Sequence, residues 1–285
     1  MSAVSIAGAR VDLGGRTVWR DVDLDVGAGE LVAILGPNGV GKSTLLKAIL
    51  GLAPLAAGTI NVLGRPAGVA NHDIGYLPQR RSFDPSLRIR GVDIVGLGLD
   101  GDRFGISFPT RARRRARQER IDELIDLVGA RAYARRPIGQ CSGGEQQRLL
   151  IAQALARRPP LVLLDEPLDS LDLPNQASVA TLVAQICRDE HVAVMIVAHD
   201  VNPILTHLDR VVYVGAGGAV AGSPDEVITT ETLTRLYQSP VEVLRASDGR
   251  LVVVGQPEAT SYHPDLHHPD LHHGQSHGEG GHGAR

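Results

Sequence analysis

Leu31-Val32-Ala33-Ile34-Leu35 runs directly into Gly36-Pro37-Asn38-Gly39-Val40-Gly41-Lys42-Ser43-Thr44, and this stretch decides the fold. The apolar run reads as a strand buried on both faces, and a helical pattern follows over about 42–50. The residues between match G-x-x-x-x-G-K-[S/T] in the strand-to-helix setting that such a loop requires. Gly36, Gly39 and Gly41 let successive backbone N–H groups curl around an anion, and the helix N-terminus adds its dipole. Lys42 is placed to reach β- and γ-phosphates, and the Ser43 hydroxyl to ligate Mg²⁺. An ordinary glycine-rich turn is the competing reading. Strand, spacing, lysine and hydroxyl together reject it.

Outward from this loop the chain alternates short apolar runs, at 161–164 and 192–198, with helical patterns over 145–156 and 177–188. Strands separated by helices predict a parallel α/β sheet whose ligands sit at the strand C-terminal ends. Asp165 and Glu166 close one such strand. Beside a phosphate loop they read as a metal-binding carboxylate and a water-activating one rather than as caps. Residues 79–158 hold few strand candidates and read as a mainly helical insert. Its arginine-dense segment at 111–120 reads as a solvated helix face. Residues 201–255 read as a mixed cap of short helices and strands.

Composition excludes several classes. The chain has 285 residues, 43% hydrophobic and 21% charged, with a formal net charge of -3. That balance argues against a surface built throughout to neutralise nucleic-acid phosphates. Two cysteines, Cys141 and Cys187, fit a reducing compartment. The first residues lack a signal peptide's charge and apolar run, and no stretch reaches the ~18–20 apolar residues of a spanning helix. Lys42 and Lys47 are the only lysines, which makes Lys42 conspicuous.

The segment Cys141-Ser142-Gly143-Gly144-Glu145-Gln146-Gln147-Arg148 reads, taken alone, as a capped helix start with some capacity for anions. In combination with the other motifs it resembles the LSGGQ signature of the ATP-binding cassette (ABC) ATPases. Their motif order is followed throughout: phosphate loop, Gln79, signature, Asp165-Glu166, Ser170-Leu171-Asp172, His199. The resemblance covers about residues 3–255. It implies a RecA-like P-loop NTPase sheet with an antiparallel β subdomain and a helical signature subdomain. Residues 256–285, rich in histidine and glycine with almost no apolar content, cannot offset their ordering entropy and are expected to be a disordered tail. The resemblance further implies ATP and Mg²⁺ bound by residues 36–44, with Ser43, Gln79 and Asp165 at the metal. Catalysis would fall to Glu166, His199, Gln79 and Lys42. Ser142, Gly143, Gly144 and Glu145 would meet the nucleotide held by a second copy, and Asp172 would help form the dimer contact.

Two departures from the family pattern stand out. Cys141 replaces the usual leucine, and Leu13 stands where an adenine-stacking aromatic is expected. The stretch after Gln79, Arg80-Arg81-Ser82-Phe83-Asp84-Pro85, resembles zinc and manganese importer cassettes. The tail, with seven of the eleven histidines and HPDLH at 263–267 and again at 268–272, points the same way. His263, His267, His268, His272 and His273 are candidate zinc ligands, because neutral imidazole suits Zn²⁺. A neutral linker or an appended tag competes with that reading. The expected protein is the ATPase subunit of a divalent-metal importer, zinc preferred, on the cytoplasmic face of the membrane. Its partners would be a second copy, an integral membrane permease and, through it, an extracytoplasmic metal-binding protein, with no nucleic acid. Manganese, an iron chelate or another solute remain alternative cargoes. A soluble cassette of translation or chromosome maintenance is a further alternative; it would need a second phosphate loop, or a long coiled coil that the interval from Lys42 to Ser142 cannot hold.

Overall fold

The computed structural model describes residues 2–79, 83–101, 110–215 and 218–254. Two long strands, β1 (Ser2–Leu13) and β2 (Arg16–Gly27), open the chain as an antiparallel hairpin. Gly14 and Gly15, at φ 58° and 75°, close it; a two-residue turn with both φ values positive matches the twist of its strands. Then come β3 (Leu31–Leu35), α1 (Lys42–Ile49), β4 (Ala57–Val62), β5 (Arg65–Pro66) and β6 (Ile74–Leu77). The helical insert follows as α2 (Gly91–Asp100), α3 (Arg111–Leu127) and α4 (Gly143–Ala154). The chain continues through β7 (Leu161–Asp165), α5 (Leu173–Asp189), β8 (Ala193–Val197), β9 (Arg210–Gly215) and β10 (Gly218–Gly222). It ends in α6 (Pro224–Val227), α7 (Thr230–Tyr237) and a hairpin of β11 (Glu242–Arg245) with β12 (Leu251–Val254).

The central sheet has the order β10-β9-β3-β8-β7-β6. Its strands are parallel except for β10, which turns back on β9. Alternation along β3 gives the sheet two apolar faces. Leu31, Ala33 and Leu35 join a core with α4 and α5, while Val32 and Ile34 join a second core with α1 and the hairpin. Burying a side chain such as Leu31 or Ile34 contributes about 2 kcal/mol, and both are almost wholly enclosed. The second sheet, β2-β1-β4-β5, is antiparallel and lies over that second core. This is the α/β P-loop arrangement expected from the sequence.

Some expectations are corrected. Residues 201–255 are not only a cap: β9 pairs with β3 near the middle of the sheet. Helix α4 begins two residues before the expected 145, because Ser142 and Glu145 form a reciprocal capping box. Helix α5 begins four residues before 177, because Asp172 accepts a hydrogen bond from the Asn175 N–H at 3.0 Å and Pro174 suits the first turn. The arginines of the first turns of α3 are exposed as expected. Arg120, deeper in that helix, donates to the Leu155 and Ala156 carbonyls and ties α3 to the end of α4. Among the described residues no helix is long and apolar enough to cross a membrane.

Candidate functional site: a phosphate loop facing two carboxylates and a histidine

The loop between β3 and α1 is fixed by close backbone approach. Gly36 has φ 144°, and a side chain there would run into the Val214 carbonyl oxygen on β9. Gly41 has φ 99° and lies against Val18 and the Trp19 ring on β2. Lys42, 4% exposed, donates through Nζ to the carbonyls of Gly36 at 2.9 Å and Pro37 at 3.0 Å. An ammonium has three hydrogens, so one is left for an anion. Burial lowers the Lys42 pKa, and the nearby charges of Glu166, Asp169 and Asp165 push it back up.

Below the loop, the Ser43 hydroxyl donates to Asp165 Oδ1 at 2.9 Å. Asp165 ends β7 and is 3% exposed. Burial raises its pKa, and the Ser43 hydrogen bond partly offsets that rise. A hydroxyl and a carboxylate brought together form the hard-oxygen set that suits Mg²⁺, so these residues fit the metal that such a loop implies.

Glu166 follows in the left-handed region, φ 54°, with its N–H donating to the Val197 carbonyl at 3.2 Å. Asp165 pairs with Val197 across the parallel strands β7 and β8. The residues just beyond those strands therefore emerge side by side. His199 Nε2 lies 2.7 Å from Glu166 Oε1 and 3.4 Å from Asp169 Oδ2. The Gln79 amide donates to the other Glu166 oxygen. The Glu166 side chain is 7% exposed. Strained backbone held by a neighbouring strand is a common setting for a functional side chain.

A cavity of about 460 Å³ is lined by Asn38, Gly39, Gly41, Lys42, Ser43, Thr44, Gln79, Glu166, Asp169 and His199. All but Asp169 were singled out from the sequence. Asp169 was missed, because nothing in its residue type or spacing marks it; the turn after β7 brings it in. Burial pushes its carboxyl pKa up, with Glu166 reinforcing the rise and His199 opposing it. Gly36 and Pro37 face a separate cavity beside Tyr213 and Tyr237, and Val40 packs against the core beneath the hairpin.

The signature residues lie elsewhere. Ser142, Gly144, Glu145 and Asp172 do not line the phosphate cavity. Ser142 and Glu145 bond to each other's backbone, and Glu145 also pairs with Arg136 at 2.7 Å. Gly144 packs against Asn175 at the start of α5. Gly143 lines a neighbouring cavity of about 600 Å³ with Gln146, Gln147, Gln79, Glu166, Ser170 and Leu171. Leu13 is 44% exposed, while Trp19 is buried and cannot offer a face in its place. Arg80, Arg81, Ser82 and the tail histidines His263, His267, His268, His272 and His273 lie outside the described residues.

The profile of the ABC transporter family matches residues 19–169. The manganese transport system ATP-binding protein MntB of Bacillus subtilis is 34% identical over 81% of this chain and 90% of its own length. The zinc import ATP-binding protein ZnuC of Paramagnetospirillum magneticum is 37% identical over 80% of this chain and 79% of its own. Other similar proteins carry names for ferric-ion and hemin import. Among solved structures, an ATP-binding cassette in a dimeric post-hydrolysis state with ADP and Pi superposes with a TM-score of 0.63 at 26% identity, covering 77% of this chain and 98% of that one. A phosphate loop clamped between β9 and β2 and relatives that share most of the chain's length agree: the chain belongs to the ATP-binding subunits of ABC transporters, and it is an ATPase.

Proposed function

We propose that this ATPase energises import of a divalent metal, with zinc the preferred cargo, from the cytoplasmic face of a membrane. The observation that carries the reading is similarity, over most of the chain, to import proteins named for manganese and zinc. The histidine-rich tail supports zinc in particular, since clustered imidazoles bind Zn²⁺ well; His263, His267, His268, His272 and His273 would sense or buffer it. Manganese and iron chelates are the competing cargoes.

In the proposed mechanism, the N–H groups of residues 36–44 and Lys42 Nζ bind the β- and γ-phosphates of ATP. Ser43, Asp165 and Gln79 would hold Mg²⁺, which would supply charge stabilisation at the phosphates. Glu166 accepts a proton from the attacking water. His199 leaves Glu166 to hold the γ-phosphate. Ser142, Gly143, Gly144 and Glu145 complete the site of a second copy, and Asp172 supports that contact through the start of α5. This fits their absence from the phosphate cavity of their own chain. A site completed only on closure couples ATP binding to movement, which the insert α2–α4 would pass to a permease.

A pull-down of this chain from native membranes in mild detergent, read by mass spectrometry, tests the assignment. Recovery of a multi-helix membrane protein together with an extracytoplasmic metal-binding protein is expected. Ribosomal or DNA-associated partners in their place would overturn it.

A further inference from the structure

Two sets of donor atoms with different chemistry meet at the phosphate cavity. Ser43 and Asp165 form one, entirely of oxygens. The second lies across the cavity, where His199 Nε2, a Glu166 oxygen and an Asp169 oxygen all fall within 4.8 Å of one another. We propose that this second trio is an inhibitory site for a divalent cation that accepts imidazole, zinc above all. This rests on reading Glu166 as the catalytic base.

Three observations support it. The His199–Asp169 separation, 3.4 Å, already matches two tetrahedral ligands about 2.0–2.1 Å from one ion, while the His199–Glu166 pair, at 2.7 Å, would give up its hydrogen bond and open by about 0.6 Å. Among the described residues, three carboxylates, Asp165, Glu166 and Asp169, act on Lys42, the ammonium that lines the cavity, so negative charge outweighs positive there. Finally, the donor type discriminates. Mg²⁺ keeps to oxygen and dehydrates reluctantly, so it belongs with Ser43 and Asp165, whereas one imidazole and two carboxylates suit Zn²⁺ and, less well, Mn²⁺. A cation held by the trio occupies the Glu166 lone pair that would accept the water proton, and the nitrogen with which His199 would meet phosphate. ATP consumption then falls as free metal accumulates on the side of the membrane where the ATPase sits.

The test uses the full-length chain, saturating Mg²⁺-ATP and a nitrilotriacetate-buffered series of free Zn²⁺, with phosphate release as readout. Wild type should be inhibited. With each protein's rate taken relative to its own rate in magnesium alone, Asp169→Asn should need at least ~10-fold more zinc for half-inhibition, since even an outer-shell partner of a metal is worth that much. Zinc taken up by ATP itself affects both proteins alike. A second full-length variant, with the seven tail histidines changed to alanine, should remain zinc-sensitive and should bind one Zn²⁺ per chain by calorimetry without nucleotide; adding Asp169→Asn to it should weaken that binding. Equal zinc sensitivity of wild type and Asp169→Asn, loss of inhibition on removing the tail histidines, or no calorimetric site in the tail variant would each overturn the proposal. Wild type inactive in magnesium alone would instead count against the reading of Glu166, and the calorimetric titration would still decide the zinc site.

Discussion

Ser43 Oγ sits 2.9 Å from Asp165 Oδ1, joining the first turn of α1 to the end of β7 across 122 positions of sequence. Each is carried by an element that packs into the sheet, so the pair is set by the fold rather than by loop chemistry. The two oxygens meet on the loop side of the sheet, where the phosphates of ATP would arrive.

This geometry makes Asp165 a source of instability in the free protein. Burial raises its pKa, so between the ordinary carboxylate value and the raised one the folded chain holds a proton that the unfolded chain has released. Stability therefore declines as pH rises through that window, and the cost persists above it. Asp165→Asn, which can still accept from Ser43, should raise the neutral-pH Tm of the nucleotide-free chain by about 2–4 °C, the shift that roughly 1 kcal/mol gives at this size. Magnesium-dependent ATPase should be lost at the same time. Calorimetry at pH 7 and at pH 4 checks the sign, since the gain should shrink on the acid side.

Replacing Glu166 by Gln preserves size and hydrogen bonding but removes the proton acceptor. Turnover should fall by about 10³-fold, within the range that a positioned base supplies, while ATP stays bound. Phosphate release measured beside retained nucleotide gives both quantities. Undiminished steady-state hydrolysis would remove Glu166 from this role.

Gly144 faces a packing constraint as well as its proposed part in the partner's site. A methyl group there would meet the Asn175 side chain, whose amide also donates to Asp172 at 2.6 Å. Gly144→Ala should therefore cost about 1–3 kcal/mol through forced repacking between α4 and α5, visible in urea unfolding without nucleotide. A variant of unchanged stability that has lost ATPase activity would show that the glycine matters only at the dimer contact.

The family resemblance read from the sequence would place Leu13 at the adenine-stacking position, and its side chain is exposed. Leu13→Tyr should tighten ATP binding roughly tenfold, the scale of one base–aromatic stack, and should sharpen the preference for ATP over GTP. Competition titrations with a fluorescent nucleotide measure both.

Much of this was legible in the residues. The loop at 36–44 needs its glycines at particular places, and β3, β7 and β8 are enclosed on both faces, so their sequences are unbroken apolar runs. β9 has the same character yet read as part of a cap, because apolar content does not reveal which strand a late segment will join. Its seat beside β3 comes from a long crossover. Asp169 was invisible for a related reason. Its neighbours His199 and Lys42 are distant in sequence, and only the strained turn at Glu166 turns it toward them. Gly144 read as a helix-start residue; that a second helix presses on it depends on where α5 begins, set by the Asp172 cap.

The scarcity of lysine has a practical consequence. Lys47 is exposed on α1, whereas Lys42 is enclosed and bonded to the loop carbonyls. An amine-acylating reagent should mark Lys47 readily and Lys42 only when the loop opens. Burial lowers the Lys42 pKa only while the loop is closed, so once exposed it should react as an ordinary lysine does, and its slower marking reports the opening itself. The ratio of the two marks, read by peptide mass spectrometry, is a built-in gauge of loop breathing, with Lys47 as the internal standard.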